Sequence, residues 1–320
     1  MTAAVGRRAL TLGGFLALGA TAARAARPVR LVVPYAPGDG PDLFARRFAQ
    51  GMAERIGLPV VVDNRPGAAT MIGTEYVASA VPDGLTLLLA TSTTFAANPH
   101  LFRQLNYSIA QFQPITLLVR VRLALYASTG FGARGMAAVL AGARAAPDPL
   151  QYGITARGDA THLAGEALQQ AAGIVLQDVP YRGTALMQQG LLRDDIPLAI
   201  DGIGAYLNLL GKDRVNAIAV TGAARVAVLP DTPTFAEAGI AELGRQPWYG
   251  LLAPAGLDPE VLADLNAAAV DTMRAAGLRD ALARQGAAVE TQSPAAFATL
   301  IAEETEAWGA IIRRVGLSMD

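Results

Sequence analysis

Two histidines, His100 and His162, and no cysteine stand in the chain, so the reactive chemistry open to it is narrow. His162 lies three residues after Asp159, next to Thr161 and four before Glu166, a spacing in which a carboxylate could orient an imidazole toward a hydroxyl nucleophile. The neighbouring sequence argues against that use. There is no G-x-S-x-G elbow, Ser92 and Ser128 have no identifiable base, and His162 opens an amphipathic helical pattern, where a structural or ligand-orienting imidazole is the simpler reading. The lack of thiols removes disulfide frameworks and cysteine-ligated metals, and two histidines make a His-rich metal site a poor expectation. Gly38-Asp39-Gly40 lacks the third glycine of a dinucleotide fingerprint, and no phosphate-binding lysine is present, so no cofactor is expected.

Charged residues at turns are more informative. Arg157 and Arg182 each precede a glycine where a β run gives way to a helical pattern. A guanidinium there suits bidentate capture of a carboxylate beside helix N-terminal amides, although each alone is equally a solvated loop arginine. Asp39 and Asp42 carry the opposite sign. Asp42 fits capping and dipole compensation of the helix that follows, whereas Asp39 would repel an acidic ligand unless it meets an amine or hydroxyl.

These residues need elements to position them. In Pro28–Asp42 (PVRLVVPYAPGDGPD) an apolar β run empties into a Gly/Pro turn, and Leu43–Ile56 follows with Phe44, Phe48 and Met52 at helical spacing. Such a turn leaves unpaired N–H groups at the positive end of a helix dipole, where an anion would sit. The same logic recurs. Strands are expected over 59–64, 85–90, 151–155, 175–180, 196–200 and 215–220, with helices between them over 73–81, 136–144, 162–172 and 185–192. A β run over 114–126 exceeds one average strand and reads as a passage between two lobes. A second return passes through WYGLLAP at 248–254, and two long helical patterns, 259–275 and 294–315, close the chain. The expected architecture is α/β, in two lobes joined by two crossovers, with a ligand cleft between them.

With 52% hydrophobic and 17% charged residues among 320, the chain can bury one large core or two smaller ones. A net charge of −1 and the absence of a basic stripe exclude nucleic acid as an expected partner. Arg7 and Arg8 precede a short apolar run to Ala23, and Ala23-Arg24-Ala25 places small residues at the cleavage positions. This reads as an export signal over 1–25, by the Sec or the twin-arginine route, leaving a mildly acidic soluble chain outside the cytoplasmic membrane.

Several segments resemble the periplasmic solute-binding proteins of tripartite tricarboxylate transporters, the Bug family. They are PVRLVVPYAPG at 28–38, PVVVDNRPGA at 59–68, IGTEYVASAVPDGLTLLLAT at 72–91, ANP at 97–99, THLAGE at 161–166, VPYRG at 179–183, LPDTPTFAEAG at 229–239 and WYGLLAPAG at 248–256. The resemblance runs from Pro28 to the C-terminus. It implies a type II periplasmic-binding fold, with 26–122 plus 248–320 as one lobe and 123–247 as the other. It also implies a small carboxylated ligand, such as a di- or tricarboxylate, an acidic amino acid or an aromatic acid. The ligand would be held by the turns that carry Tyr35, Ala36, Pro37, Gly38, Asp39 and Asp42; Thr91, Thr93 and Thr94; Arg157, Gly158, Asp159, Thr161 and His162; Tyr181, Arg182 and Gly183; and by Asp201 at the cleft end of a strand. The implied partners are a large and a small integral membrane subunit, the receptor itself being a monomer.

Departures from the family pattern bear on the ligand. Asp39 interrupts the glycines of the first turn, Arg157 and Asp159 replace small neutral residues in the G-N-G-T-S-S-H motif, Ala69-Thr70-Met71 stands for the usual Gly-Gly-Asn, and Phe95 for a common histidine. A cleft of mixed charge would favour a carboxylate that also bears an amine or hydroxyl; alternatively, Asp39 and Arg157 form an inter-lobe ion pair away from ligand. The sequence therefore reads as a non-catalytic exported receptor. The alternatives are a sensory module presenting its bound state to a sensor kinase and, least favoured, an exported α/β enzyme using His162.

Overall fold

The computed structural model describes residues 27–210, 214–240, 243 and 246–319. The export signal expected over 1–25 lies outside them. The first sheet is built from β1 (Val29–Val33), β2 (Val60–Asn64) and β3 (Thr86–Thr91) in parallel; a strand from the end of the chain lies antiparallel between β3 and β4 (Phe112–Arg120), so that β4 runs in the direction of β1–β3, and a short last strand pairs antiparallel with the outer edge of β4. Its helices are α1 (Gly40–Ile56), α2 (Met71–Ala78) and α3 (Asn98–Leu101). The second sheet takes β5 (Leu123–Ser128), β6 (Leu150–Ile154), β7 (Leu176–Pro180), β8 (Leu198–Gly202) and β9 (Val215–Val220), with α4 (Met136–Ala145), α5 (Ala160–Ala172), α6 (Thr184–Leu192) and α7 (Ile203–Leu210) between them. The chain then returns through β10 (Trp248–Pro254), α8 (Pro259–Arg274), α9 (Ala276–Ala283), β11 (Ala288–Val289) and α10 (Pro294–Val315). Strand order is β11-β4-β10-β3-β1-β2 in the first sheet and β7-β6-β8-β5-β9 in the second. This is the two-lobe α/β fold expected.

Each sheet is buried on both faces, which explains why its strands read as continuous apolar runs. Leu31, Val33, Leu87 and Leu89 pack with Phe44, Phe48 and Met52 of α1 and Met273 of α8, while Val32, Leu88 and Trp248 face Phe95, Phe297 and Ile301 on the other side. In the second sheet Leu123, Leu125 and Ala127 meet Ala164 and Leu168 of α5. Ala124 and Tyr126, one residue out of phase, meet Met187 of α6 and Tyr206 of α7.

The β run expected over 114–126 is two strands, not one. It breaks at Val121-Arg122, where the chain leaves the first sheet: the Val121 amide donates to the Pro247 carbonyl at 2.7 Å, and Arg122 Nη1 donates to the carbonyls of Thr221 and Ala224. Both crossovers are thereby clipped together. Behind them the lobes touch through an apolar cluster of Leu101, Leu163 of α5, Trp308 and Ile312 of α10. The tail closes this junction, with the Met319 amide donating to the Leu101 carbonyl at 2.9 Å. Among the described residues no helix is long and apolar enough to cross a membrane.

Candidate functional site

Three of the predicted turns pass from strand to helix through a glycine at positive φ: Gly38 at 89°, Gly158 at 81° and Gly183 at 93°. They differ in what caps the helix. After β1, Asp42 is almost wholly buried and acts as the hub of its own turn. It accepts from the Gly38 amide at 2.8 Å, from Arg46 at 3.0 Å and from Asn64 at 2.9 Å. Burial alone would raise its pKa; these donors instead hold it below the usual carboxylate range. Asn64 also donates to the Tyr35 carbonyl at 3.2 Å, fixing the strand's end. Ala36, Pro37 and Gly38 stay exposed.

After β6, Asp159 caps α5. One carboxylate oxygen accepts from the amides of Thr161 and His162 at 2.9 and 3.0 Å and from the Thr161 hydroxyl, the other from the Thr155 hydroxyl. His162 is buried, and its Nδ1 accepts from the Gly158 amide at 3.0 Å while Nε2 lies 3.5 Å from Glu166. That acceptor atom is occupied by the turn itself, so the imidazole orders the loop instead of offering a free base. Arg157 turns outward and grips Asp178 with Nε at 2.6 Å and Nη2 at 3.3 Å. The alternative in which it pairs with Asp39 across the cleft is thus not the arrangement adopted.

After β7, α6 begins at Thr184 with Gly183 in the capping position and no side-chain cap. The amides of Thr184, Ala185 and Leu186 find no acceptor among the described residues. Arg182 beside them is exposed, whereas the Tyr181 ring lies over Gly190 of the same helix. Asp39 faces this open end from the other lobe. Its Oδ1 stands 3.2 Å from where a Cβ on Gly183 would be. Burial raises the Asp39 pKa, with Asp42 adding to the effect.

Asp201 ends β8 in the same region. Its Oδ1 accepts from the Gly202 amide at 2.7 Å and its Oδ2 is buried without a partner. Burial, reinforced by the carboxylates of Asp159 and Asp39, pushes its pKa up to about 7. Tyr126 and Tyr206, stacked at 4.0 Å, lie within the field of Asp201 and bury hydroxyls without partners.

The segment after β3 was expected as an open Thr/Ser turn and is instead a π-helical turn, Thr93–Ala97. Thr91, Thr93 and Thr94 are all buried. Their hydroxyls build a chain inside the lobe: Tyr35 to Thr91 at 2.9 Å, Thr91 to Thr94 at 3.2 Å and Thr94 to Thr70 at 2.9 Å. Thr94 therefore supports the cleft from behind, and Tyr35 is the member at the cleft end. Phe95 fills the aromatic core against Phe112 at 5.1 Å.

Tyr249 of β10 was not singled out from the sequence. Its hydroxyl lies 3.5 Å from a Cβ position on Gly40, and Asp201 and Asp39 both act on it. Strand alternation carried the signal, since Trp248 is fully buried and its neighbour must face the opposite side. Among the described residues no group of three His, Cys, Asp or Glu side chains is placed to hold a metal ion.

Residues 44–317 match the family model described as the tripartite tricarboxylate transporter family receptor. Protein BugT of Bordetella pertussis is 30% identical over 296 residues, covering 92% of this chain and 91% of that protein. An R. palustris protein solved with adipate superposes with a TM-score of 0.86 at 30% identity, covering 92% of this chain and 98% of the other. MatC from Rhodopseudomonas palustris, solved with bound malate, superposes with a TM-score of 0.82 at 29% identity, over 90% and 99% of the two chains. By sequence and by fold the chain belongs to the Bug-type receptors of the tripartite tricarboxylate transporter family.

Proposed function

We propose that the protein is an exported solute receptor that closes its two lobes over one small carboxylated ligand. Di- and tricarboxylates, acidic amino acids and aromatic acids form the candidate class. The receptor hands its ligand to a large and a small membrane subunit outside the cytoplasmic membrane. The observation that carries this reading is the uncapped N-terminus of α6. Three amides without acceptors form an anion seat of the kind helix termini supply, and the cleft turn of the other lobe stands over it. The hydroxyls of Tyr35 and Tyr249 line the opposing lobe, and closure is the way periplasmic receptors bury a ligand. Adipate and malate, found with two neighbours of the same fold, support the class. His162, with Nδ1 engaged by Gly158, supports binding over catalysis.

Calorimetry on the mature chain, unfolded and refolded to strip any co-purified ligand, tests this. At least one of malate, adipate, citrate, benzoate or aspartate binds with a Kd of about 10 μM or tighter, and its amide analogue does not. Equal binding of acid and amide would refute the carboxylate class.

A further inference from the structure

Several buried or half-buried carboxylates elsewhere in this molecule are matched with arginine. Asp42 has Arg46, Asp63 has Arg30 and Arg65, and Asp178 has Arg157. Asp159 has no arginine, but the amide end of α5 and two hydroxyls surround it. Asp39 and Asp201 have no arginine and no such shell of donors, Asp201 having only the Gly202 amide on Oδ1 and the Thr184 hydroxyl close by. Asp39 occupies the capping position of α1 without making a side-chain cap bond, and points at Gly183 of the opposite lobe. Asp201 is only 8% exposed, and its Oδ2 lacks any partner. A buried carboxylate oxygen left without a donor is costly, and native structures leave few of them.

We infer, resting on the receptor reading above, that the ligand itself supplies the missing cation: it is an α-amino acid, whose ammonium sits between Asp39 and Asp201 while its carboxylate takes the open amides of α6. Both seats converge on Gly183 and Thr184. Asp39 approaches Gly183, the Thr184 hydroxyl acts on Asp201, and the free amides begin at Thr184. That closeness fits two opposite charges on one carbon better than the two ends of a long chain. A metal ion is the poorer occupant. It would need a third donor, and Asp159, the other carboxylate that acts on Asp201, has both oxygens engaged within its own turn. Asp39 thereby becomes the residue that sets specificity, because a glycine in its place would leave Asp201 to face the ammonium alone.

The test compares matched acids by calorimetry on the refolded mature protein: each common α-amino acid against its counterpart lacking the amine, such as aspartate against succinate and glutamate against glutarate, with putrescine as an amine without carboxylate. At least one amino acid binds about tenfold or more tightly than its counterpart, and Asp39→Asn shrinks that ratio about tenfold while leaving the melting temperature close to wild type. The ligand comparison is made on the wild-type chain, so it stands even if the variant misfolds. Succinate or glutarate binding as tightly as the amino acid overturns the ammonium seat and leaves the carboxylate receptor intact. Putrescine binding without any amino acid overturns the carboxylate reading and this proposal together. Failure of every amino acid to bind overturns the proposal, and the acid and amide panel then decides the receptor reading separately.

Discussion

Asp201 ties the cleft to pH. In the folded chain its pKa rises to about 7 from the ordinary 3.8, chiefly through burial and then through Asp159 and Asp39. An acid that holds its proton more tightly when folded favours the folded state below the unfolded pKa, and that advantage is lost as the pH climbs from about 4 to about 7. The full span is on the order of 4 kcal/mol. Asp39 and Asp159 are shifted the same way, while Asp42 and Asp63 shift oppositely and lose their contribution in more acid solution. Thermal melts should therefore fall between pH 5 and pH 8, and fall less in Asp201→Asn; a variant with the wild-type slope would remove Asp201 from this account. Arg157 behaves differently. Its guanidinium is solvent-exposed and already committed to Asp178, so Arg157→Ala should change ligand affinity by no more than about twofold in a titration. The sequence offered Arg157 as a carboxylate fork because it precedes a glycine at a strand's end. Its true partner is on β7, reached only once β6 and β7 pair in register, and nothing local announces that register.

At the scale of elements, the loop before α2 stands out. Gly67 is followed by Ala68, Ala69 and Thr70 at φ of 45°, 49° and 77°, three side chains in a backbone region that favours glycine. Asn98 holds the run by donating to the Ala69 carbonyl at 2.8 Å, and Thr70 joins the hydroxyl chain behind Tyr35. Ala69→Gly should stabilise the protein by about 0.5–1 kcal/mol in urea unfolding. Unchanged or lower stability would mean that the loop carries no strain at Ala69. The α6 turn predicts the converse. Gly183→Ala puts a methyl in a left-handed backbone, 3.2 Å from the Asp39 carboxylate, and should weaken ligand binding more than it lowers the melting temperature. Elements were legible where glycine and proline punctuate apolar runs, as at Gly38, Gly158 and Gly183. They were not legible at Thr93–Ala97, where threonines signal strand or loop and the π-turn depends on distant partners such as Thr70. Helix α9 and strand β11, short and with only Leu282 fully buried in the helix, also left no clear pattern.

For the whole molecule, the two tryptophans report on different places. Trp248 is fully buried beside Phe297 at 5.3 Å within one lobe, despite its nearness to the crossover, whereas Trp308 lies among Leu101 and Leu163 where the lobes meet. Ligand-induced fluorescence change should disappear in Trp308→Phe and persist in Trp248→Phe; the reverse would place the moving contact elsewhere. The two-lobe plan was readable because strands, helices and two long returns follow in order along the chain. The balance of charge in the cleft was not, since it depends on which carboxylates find arginines after folding. The open end of α6 also bears on handling. Phosphate and sulfate are themselves anions of the kind that unoccupied helix amides attract, so purification buffers containing them would act as competitors. Affinities measured there would be weakened in proportion to buffer concentration, and crystals grown from sulfate would report the precipitant in place of the physiological solute.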